Sequence, residues 1–234
     1  MALHTALVTG SARRLGLAIA RDLAEAGFTI VLHSRDRVAA EKAAATVGDR
    51  CAGIVSGDLT QAFTAKGIVG DALKLTGGHL SLLVNNASAF LRRTPERTTH
   101  EDWDLELDLG ARAPFFMAQA AHPTLVATKG MVLNISDYSA PEGWPAYTPH
   151  SAAKAALENV TRTLAQAWEG RVRVNAISPP TVRLPADLDD GSGPEHQPGA
   201  GARHGFIPAS AVTSTLLELY MSDRTGEVVR LGTP

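Results

Sequence analysis

Hydrophobic residues divide the chain into short apolar runs separated by longer amphipathic segments. The apolar runs are bounded by Gly, Asn, Asp or Ser, a pattern typical of buried strands. Strands are predicted at residues 6–8, 28–32, 51–56, 80–84, 131–135, 172–177 and 227–231. Helices are predicted after the first strand and near residues 38–47, 61–75, 100–121, 151–168 and 209–221. This alternation predicts an α/β fold.

The composition predicts a single soluble domain. The chain has 234 residues, of which 44% are hydrophobic, and its net charge of −2 provides no basic surface for nucleic acid or an anionic membrane. No apolar run approaches the roughly 20 residues of a membrane span. The single cysteine, Cys51, cannot form an internal disulfide, so we expect a cytoplasmic protein with neither a nucleic-acid nor a membrane partner. The histidines are scattered, and no metal site is predicted.

The first predicted strand leads into a helix through a turn typical of nucleotide-binding βαβ units. Gly10 permits the tight turn, and Gly16 lets the helix pack closely on the strand. Free N–H groups at the start of this helix can bind a pyrophosphate. Arg13 and Arg14 precede Leu15 there. We interpret the two arginines as phosphate ligands, the alternative being a solvated helix start.

The end of the second predicted strand indicates which nicotinamide cofactor the turn would accept. A free ribose needs an acidic acceptor at this position, whereas a 2′-phosphate needs a cation and small donors. His33 is followed by Ser34 and Arg35, which supply the second set, and Asp36 comes one residue too late to be the acceptor. The sequence therefore favours NADP(H) over NADH.

Further motifs follow at the ends of later strands. The run 85–88 reads Asn-Asn-Ala-Ser, and Phe90 lies two residues beyond it. Asp137 follows the fifth predicted strand, and His150 and Lys154 come thirteen and seventeen residues later. With the glycine turn, these motifs resemble the short-chain dehydrogenase/reductase family, and in particular its pteridine-reductase branch. The resemblance spans the chain and implies a single-domain, Rossmann-type doubly wound parallel sheet of about seven strands.

The resemblance, together with the two strand ends above, assigns roles to individual residues. The implied catalytic group is Asp137, His150 and Lys154. The implied cofactor site is Gly10, Arg13, Arg14, Leu15, His33, Ser34, Arg35, Asp58, Leu59, Asn86, Ala87, Ser88, Lys154 and Pro179. A pterin-like substrate would contact Arg14, Ser88, Phe90, Asp137 and His150. For Asp58 the alternative is a plain turn residue, and for Phe90 it is a core residue.

Two residues depart from the family pattern. His150 stands where relatives carry the proton-donating Tyr, and Gly110 stands where they carry an Asn. Two functions therefore remain open: an NADPH-dependent reductase of a pterin or similar flat substrate, or a cofactor-binding protein with weak or no turnover that acts as a regulatory or oligomer partner. Lys154 should lower the pKa of His150 and Asp137 should raise it. For Tyr147, one turn upstream, two roles remain open: a substitute proton donor in the first reading, or a residue that lines the pocket.

Two longer segments carry further expectations. Residues 185–206 contain few apolar side chains, which predicts either a mobile substrate lid or a disordered surface loop. The predicted helix 151–168 has a face of small residues that would let two subunits approach closely. In the family this helix and the one at 100–121 build the oligomer. The resemblance thus implies a homodimer or homotetramer.

Overall fold

Seven parallel strands form the central sheet of the computed structural model, which describes residues 4–191, 193–196 and 203–232. The strands are β1 (Thr5–Val8), β2 (Thr29–Ser34), β3 (Cys51–Ser56), β4 (Leu82–Asn85), β5 (Met131–Ile135), β6 (Arg173–Ser178) and β9 (Val228–Arg230), and β7 (Thr181–Arg183) pairs only with β8 (Phe206–Pro208). The sheet order is β3-β2-β1-β4-β5-β6-β9. The predicted doubly wound fold is thus confirmed. After β1 the chain adds β2 and β3 on one side of the sheet, and it then adds the later strands on the other side, beginning with β4. A crevice forms at the carboxyl ends of β1 and β4, where the strand order reverses.

Helices cover both faces of this sheet. They are α1 (Arg14–Glu25), α2 (Arg37–Val47), α3 (Thr64–Leu75), α4 (His100–Leu107), α5 (Ala113–Thr128), α6 (Ser139–Glu142), α7 (Thr148–Ala167) and α8 (Ala209–Met221). Alternate residues of the strands point into two hydrophobic cores, one on each face of the sheet. In β1, Ala6 and Val8 pack towards α1 and α8, and Leu7 packs towards α3, α5 and α7. No helix in the described ranges is both long and apolar enough to cross a membrane.

The predicted helix 100–121 is interrupted. Its first part, α4, begins at a capping box in which Thr99 and Asp102 bond each other's backbone N–H. A π-helical turn then occupies Asp108–Arg112, and α5 continues beyond Pro123 to Thr128. A π turn shifts the hydrogen-bond ladder by one residue and is often found at functional sites. Its position here beside α7 directs α4 side chains towards the end of β5.

The predicted lid begins and ends beside the small β7–β8 pair. Its residues 192 and 197–202 lie outside the described part of the chain. Leu188 packs against the core that α1 shares with α8. Asp190 and Glu195 contact Arg14, at the start of α1. The described part of this segment is therefore anchored to the glycine turn.

Candidate active site at the strand ends

The turn between β1 and α1 has space for backbone only. A Cβ atom at Gly16 would lie 2.3 Å from the carbonyl oxygen of Gly10, and Gly10 itself has φ +63°. Asn86 holds the turn from the next strand by donating from Nδ2 to the carbonyl of Thr9 at 2.9 Å. The backbone N–H of Ala87 donates to Thr9 Oγ1 at 3.1 Å. This glycine cradle at a helix start fits the phosphates of a dinucleotide.

Arg14 has an unusual backbone conformation, and its side chain is paired with two carboxylates. Its φ is +53°, a left-handed conformation that glycine adopts easily, so the backbone keeps the shape of a glycine turn. Its guanidinium donates to Asp190 Oδ1 at 2.8 Å and to both oxygens of Glu195, at 2.6 and 2.7 Å. Arg13 is exposed beside it. A phosphate that binds Arg14 must therefore compete with these carboxylates.

His33 supports the glycine turn from the end of β2. Its Nδ1 accepts from Gly10 N at 3.2 Å, and its Nε2 donates to the carbonyl of Gly57 at 3.1 Å. Burial lowers the pKa of His33, despite the hydrogen bond to Gly57, and keeps the ring neutral. Both ring nitrogens are thus bound to backbone, and the side chain acts on the cofactor region through Gly10.

Ser34 and Arg35 lie at the open rim beyond His33. Ser34 is half-buried and accepts from the N–H of Asp36, which caps α2. The Arg35 side chain is 63% exposed, with its guanidinium 4.0 Å from Asp58. Hydrogen bonds from Thr60 hold the pKa of Asp58 below its usual value, and the neighbouring Leu59 is buried. An exposed cation and a small hydroxyl therefore lie together at this rim.

A cavity of about 800 Å³ opens at the carboxyl ends of β4, β5 and β6. Leu15, Asn86, Ser88 and Pro179 border it on the side of the glycine turn. The predicted catalytic residues Asp137, His150 and Lys154 lie in its wall, as do Arg14, Phe90, Trp144, Tyr147, Glu195 and His204. The structure thus brings the predicted catalytic and substrate groups to one cavity.

Asp137 is the most accessible member of the polar cluster in this wall, with a side chain that is 19% exposed. Its Oδ2 accepts from His150 Nε2 at 2.6 Å, and its Oδ1 accepts from Ser139 N at 2.8 Å and from the Ser139 hydroxyl. Burial opposes ionisation, but the hydrogen bond and charge of His150, with Lys154, hold the pKa of Asp137 at about 2. Asp137 is therefore an anion at neutral pH.

His150 is held by a carboxylate on each side of its ring. Opposite Asp137, Nδ1 lies 3.0 Å from Glu106 Oε2, and the imidazole is 2% exposed. Burial disfavours the charged ring, yet the hydrogen bonds that it donates to Asp137 and Glu106 raise the pKa of His150 above its usual value. The lowering of the His150 pKa that we expected from Lys154 is thus smaller than the increase caused by the two carboxylates. Sequence reasoning missed Glu106, although it lies four residues, about one helical turn, before Gly110.

Lys154 lies beneath this cluster. Its Nζ donates to the carbonyl of Ile135 at 2.8 Å, and the residue is 4% exposed. Burial lowers the pKa of Lys154, although Asp137 and Glu106 oppose this. With Lys154 and His150 charged, two cations balance two carboxylates, which makes the buried group electrically neutral.

Gly110 lets α4 and α7 approach closely at the π turn. A Cβ atom at position 110 would lie 2.8 Å from the Ala153 Cβ, closer than real side chains come. Ala153 is buried and immediately precedes Lys154. The Asn that the family pattern has at this position would thus disrupt a close contact between the two helices.

Aromatic rings form the outer wall of the cavity. Phe90 lies 4.5 Å from Tyr147 and 4.8 Å from His150 between ring centroids. Trp144 meets the Phe90 ring edge-on at 6.5 Å. Ser88 is exposed beside them, and its hydroxyl donates to the carbonyl of Ala89. Phe90 is only half-buried, so one part of its ring remains available to a ligand.

The described ranges contain one group of side chains with the spacing of metal ligands: Asp189, Glu195 and His196, whose ligand atoms lie within 4.8 Å of one another. His196 Nε2 is 2.7 Å from Asp189, and Glu195 is paired with Arg14. These ion pairs account for the arrangement, and we assign no metal to it.

A doubly wound sheet with a glycine turn at its switch point defines a Rossmann-type dinucleotide-binding protein. The sequence profile described as Enoyl-(Acyl carrier protein) reductase matches residues 10–203. The chain belongs to the short-chain dehydrogenase/reductase family of NAD(P)-binding oxidoreductases.

Relatives in this family act on different compounds. The hydroxynaphthalene reductase-like protein Arp2 of Metarhizium robertsii is 34% identical over 76% of this chain and 68% of its own length. Gluconate 5-dehydrogenase of Gluconobacter oxydans is 30% identical over 78% of this chain and 75% of its own. The structure of a blue fluorescent protein from a metagenomic library, in complex with NADPH, matches this chain with a TM-score of 0.85 and 25% identity, over 98% of this chain and 96% of that one.

Proposed function

We propose that the protein is an NADPH-dependent reductase of a flat heterocyclic or carbonyl compound, with a dihydropteridine as the first candidate. The observation that carries this proposal is the half-buried Phe90 ring beside His150, in the same cavity wall as Asp137. A planar substrate stacked on Phe90 would lie against the polar cluster. Arp2, a relative with 34% identity, is named for its likeness to a reductase of fused aromatic rings, which also supports a flat substrate.

The cofactor proposal rests on the fit of two regions. The glycine cradle receives the phosphates, and Ser34 with Arg35 would bind a 2′-phosphate at the rim. A nicotinamide cofactor bound there would supply hydride to the substrate. Pro179 and Lys154 would border its nicotinamide end. Asp58 and Leu59 would flank the adenine end.

The polar cluster would supply the proton. Because Asp137 is ionised down to about pH 2, the proton is stored on His150, whose pKa is raised. His150 is almost fully buried, whereas Asp137 reaches the cavity, so Asp137 is the group that would pass the proton on. Transfer from a weaker acid to a stronger one is uphill, and we therefore expect slow turnover that falls as the pH rises through the pKa of His150.

A second candidate function is cofactor binding without turnover. It is favoured by the two hydrogen bonds that hold His150 away from a substrate. The two candidates are separated by measuring NADPH oxidation against dihydropterins, hydroxylated naphthalene ketones, quinones and keto acids between pH 5 and 9. Oxidation above background with a flat substrate supports the reductase. Tight NADPH binding without oxidation of any compound in the panel supports the second candidate.

Phe90→Ala is expected to weaken binding of a flat substrate by roughly 1–3 kcal/mol, by analogy with bases stacked on aromatic side chains. A diaminopteridine inhibitor titrated into the NADPH complex by calorimetry measures the loss. Phe63→Ala is the matched control, because Phe63 is 95% exposed and does not border the cavity. Equal affinity of Phe90→Ala and the unmutated protein would contradict stacking on Phe90.

Arg35→Ala is expected to weaken NADPH binding about 10- to 100-fold, since a charge-assisted hydrogen bond contributes about 1.5–3 kcal/mol. NADH binding should stay nearly unchanged, because NADH lacks the 2′-phosphate. Calorimetric titration with both cofactors measures the difference. Arg37→Ala is the control, since Arg37 is equally exposed and pairs with Glu41 at 3.1 Å. Equal weakening of both cofactors would contradict the NADPH preference.

We propose further that the protein works as a homodimer or homotetramer and that residues 185–206 form a substrate lid. Trp103 on α4 and Phe116 on α5 are 42% and 46% exposed, on the helices expected to form the subunit contact. The lid proposal is supported by Glu195 and His204, which border the cavity from this segment. Light scattering measures the oligomeric state, and hydrogen exchange with and without NADPH measures lid closure.

A further inference from the structure

The two carboxylates beside His150 fix the charge of its ring. A neutral imidazole has one N–H and can donate to one acceptor, whereas an imidazolium donates from both nitrogens. Nε2 lies 2.6 Å from Asp137 Oδ2, and Nδ1 lies 3.0 Å from Glu106 Oε2. Two ionised carboxylates at these distances require a proton on each nitrogen. The geometry therefore corresponds to a charged His150.

Glu106 is itself held in place from the substrate side of the cavity. Its Oε1 accepts from the backbone N–H of Leu91 at 2.7 Å, so both carboxylate oxygens are occupied. Leu91 directly follows Phe90. Glu106 is 1% exposed. A buried carboxylate is costly unless it is paired and hydrogen-bonded, and here Leu91 and His150 meet both requirements.

Three charged side chains surround His150, two of them from other elements and one from its own helix. Asp137 approaches from the end of β5, Glu106 from α4, and Lys154 from the next turn of α7. Phe90 covers the ring edge-on, and Tyr147 stacks on Phe90. Lys154 opposes the charge on His150, and Asp137 alone would leave Nδ1 without an ionised acceptor. Glu106 thus completes the set that stabilises the imidazolium.

We propose that Glu106 is a positioning residue of the proton relay: it holds His150 as an imidazolium, ready to deliver its proton through Asp137 to the substrate. This inference rests on the proposed reductase function. Glu106 does not border the cavity and acts only through His150.

The proton transfer balances within these residues and the substrate. The N–H bond at His150 Nε2 breaks as an O–H bond forms at Asp137 Oδ2. That O–H bond then breaks as a new N–H or O–H bond forms on the substrate atom that received the electron pair of the reduced double bond. His150 is left neutral, with its remaining proton on Nδ1 and shared with Glu106. A proton from water restores the imidazolium, and no proton is transferred to Glu106 in these steps.

Glu106→Gln tests the assignment with little change in shape. The Gln oxygen can still accept from Leu91, while its amide donates to Nδ1 and favours a neutral ring with its proton on Nε2. We expect the pKa of His150, followed by NMR of the ring nitrogens, to fall by about 1–3 pH units, the usual effect of an adjacent opposite charge. The alkaline limit of turnover should move down by the same amount. Glu106→Asp, which retains the charge, should keep that limit closer to the unmutated value.

Glu158→Gln is the matched control, because it removes another buried carboxylate that does not contact His150. Glu158 is 4% exposed and binds Ser136, Arg162 and Arg230. This variant should lose stability without changing the titration of His150. A general loss of stability is thereby separated from a specific effect on the ring.

Different results would overturn the assignment of Glu106 and the proposed reductase function. An unchanged His150 titration in Glu106→Gln overturns the assignment of Glu106, whether or not the protein reduces a substrate. A lowered pKa with a matching shift of the alkaline limit supports it. A lowered pKa in a protein that oxidises NADPH with no compound of the panel overturns the relay together with the proposed function, although Glu106 then still sets the charge of His150.

Discussion

His150→Ala is expected to lower the free energy of unfolding by about 3–5 kcal/mol near neutral pH, because removing one partner of a buried ion pair leaves uncompensated charge. Both Glu106 and Asp137 lose the imidazolium to which each is hydrogen-bonded in this variant, so that two carboxylates share only Lys154. Turnover should fall to background, since no group remains to store the proton. Chemical denaturation and NADPH oxidation measure the two effects. His122→Ala is the control, because His122 stacks on Trp168 without an ion pair in the described chain.

A second substitution distinguishes charge from packing. His150→Ala combined with Glu106→Gln removes the uncompensated charge while keeping an acceptor for Leu91, so the double variant should be more stable than His150→Ala alone. A double variant that is no more stable would mean that the lost ring contacts dominate. His150→Tyr should also be destabilised, because a Tyr hydroxyl can donate to Asp137 but leaves Glu106 Oε2 without the cation it contacts.

The stabilisation by this cluster should decrease at both low and high pH. The folded pKa of Asp137 is lowered, so its contribution is present above the unfolded value of about 4 and is lost as the pH falls towards 2. The folded pKa of His150 is raised, so its contribution is complete below about 6.5 and is lost as the pH rises through the folded value. The difference in stability from His150→Ala should therefore be largest between about pH 4 and 6.5.

Gly110→Asn, which restores the residue usual in the family, is expected to destabilise the protein rather than improve it. Its Cβ would meet the Ala153 Cβ at 2.8 Å, and overpacking of this kind costs about 1–3 kcal/mol. Separation of α4 from α7 would also lengthen the contact between Glu106 and His150. We therefore expect reduced turnover, measured with the best substrate, and a lower denaturation midpoint.

Ala153→Gly provides the rescue for this variant. It removes the opposing Cβ, although glycine inside a helix itself costs about 1 kcal/mol. The double variant Gly110→Asn/Ala153→Gly should be less destabilised than the sum of the two single variants. Additive losses would indicate that the helices already separate without strain and would contradict a packing role for Gly110.

The sheet could be predicted from the sequence because its strands are local patterns. The apolar run at 131–135 is the strand β5, and residues 51–56 form β3 as expected. Asp137, His150 and Lys154 could be placed together because they lie at one strand end and on the following helix. Asn85 Nδ2 donates to Asn134 Oδ1 across the central strands at 2.9 Å.

The remaining contacts depend on how distant elements pack. Glu106 and His150 are 44 residues apart, and they meet because the π turn and Gly110 set the position of α4 on α7. The pairing of Arg14 with Glu195 joins residues 181 apart. Neither contact leaves a periodic or spacing signal. The sequence alone therefore predicted that Lys154 lowers and Asp137 raises the pKa of His150, but not that Glu106, a second carboxylate, also raises it.

The pairing of β7 with β8 has a consequence for how this scaffold can change. Thr181 lies opposite Phe206 and Arg183 opposite Pro208, so the chain leaves and re-enters the body at two nearby points. Doubling the length of a flexible connection between fixed ends costs only about 0.6 kcal/mol. Glu195 and His204 reach the cavity from the intervening segment. We thus expect that this segment can be exchanged for another of different length and sequence. We therefore expect that a chain carrying a different segment between β7 and β8 would keep the nucleotide-binding body and accept a different compound.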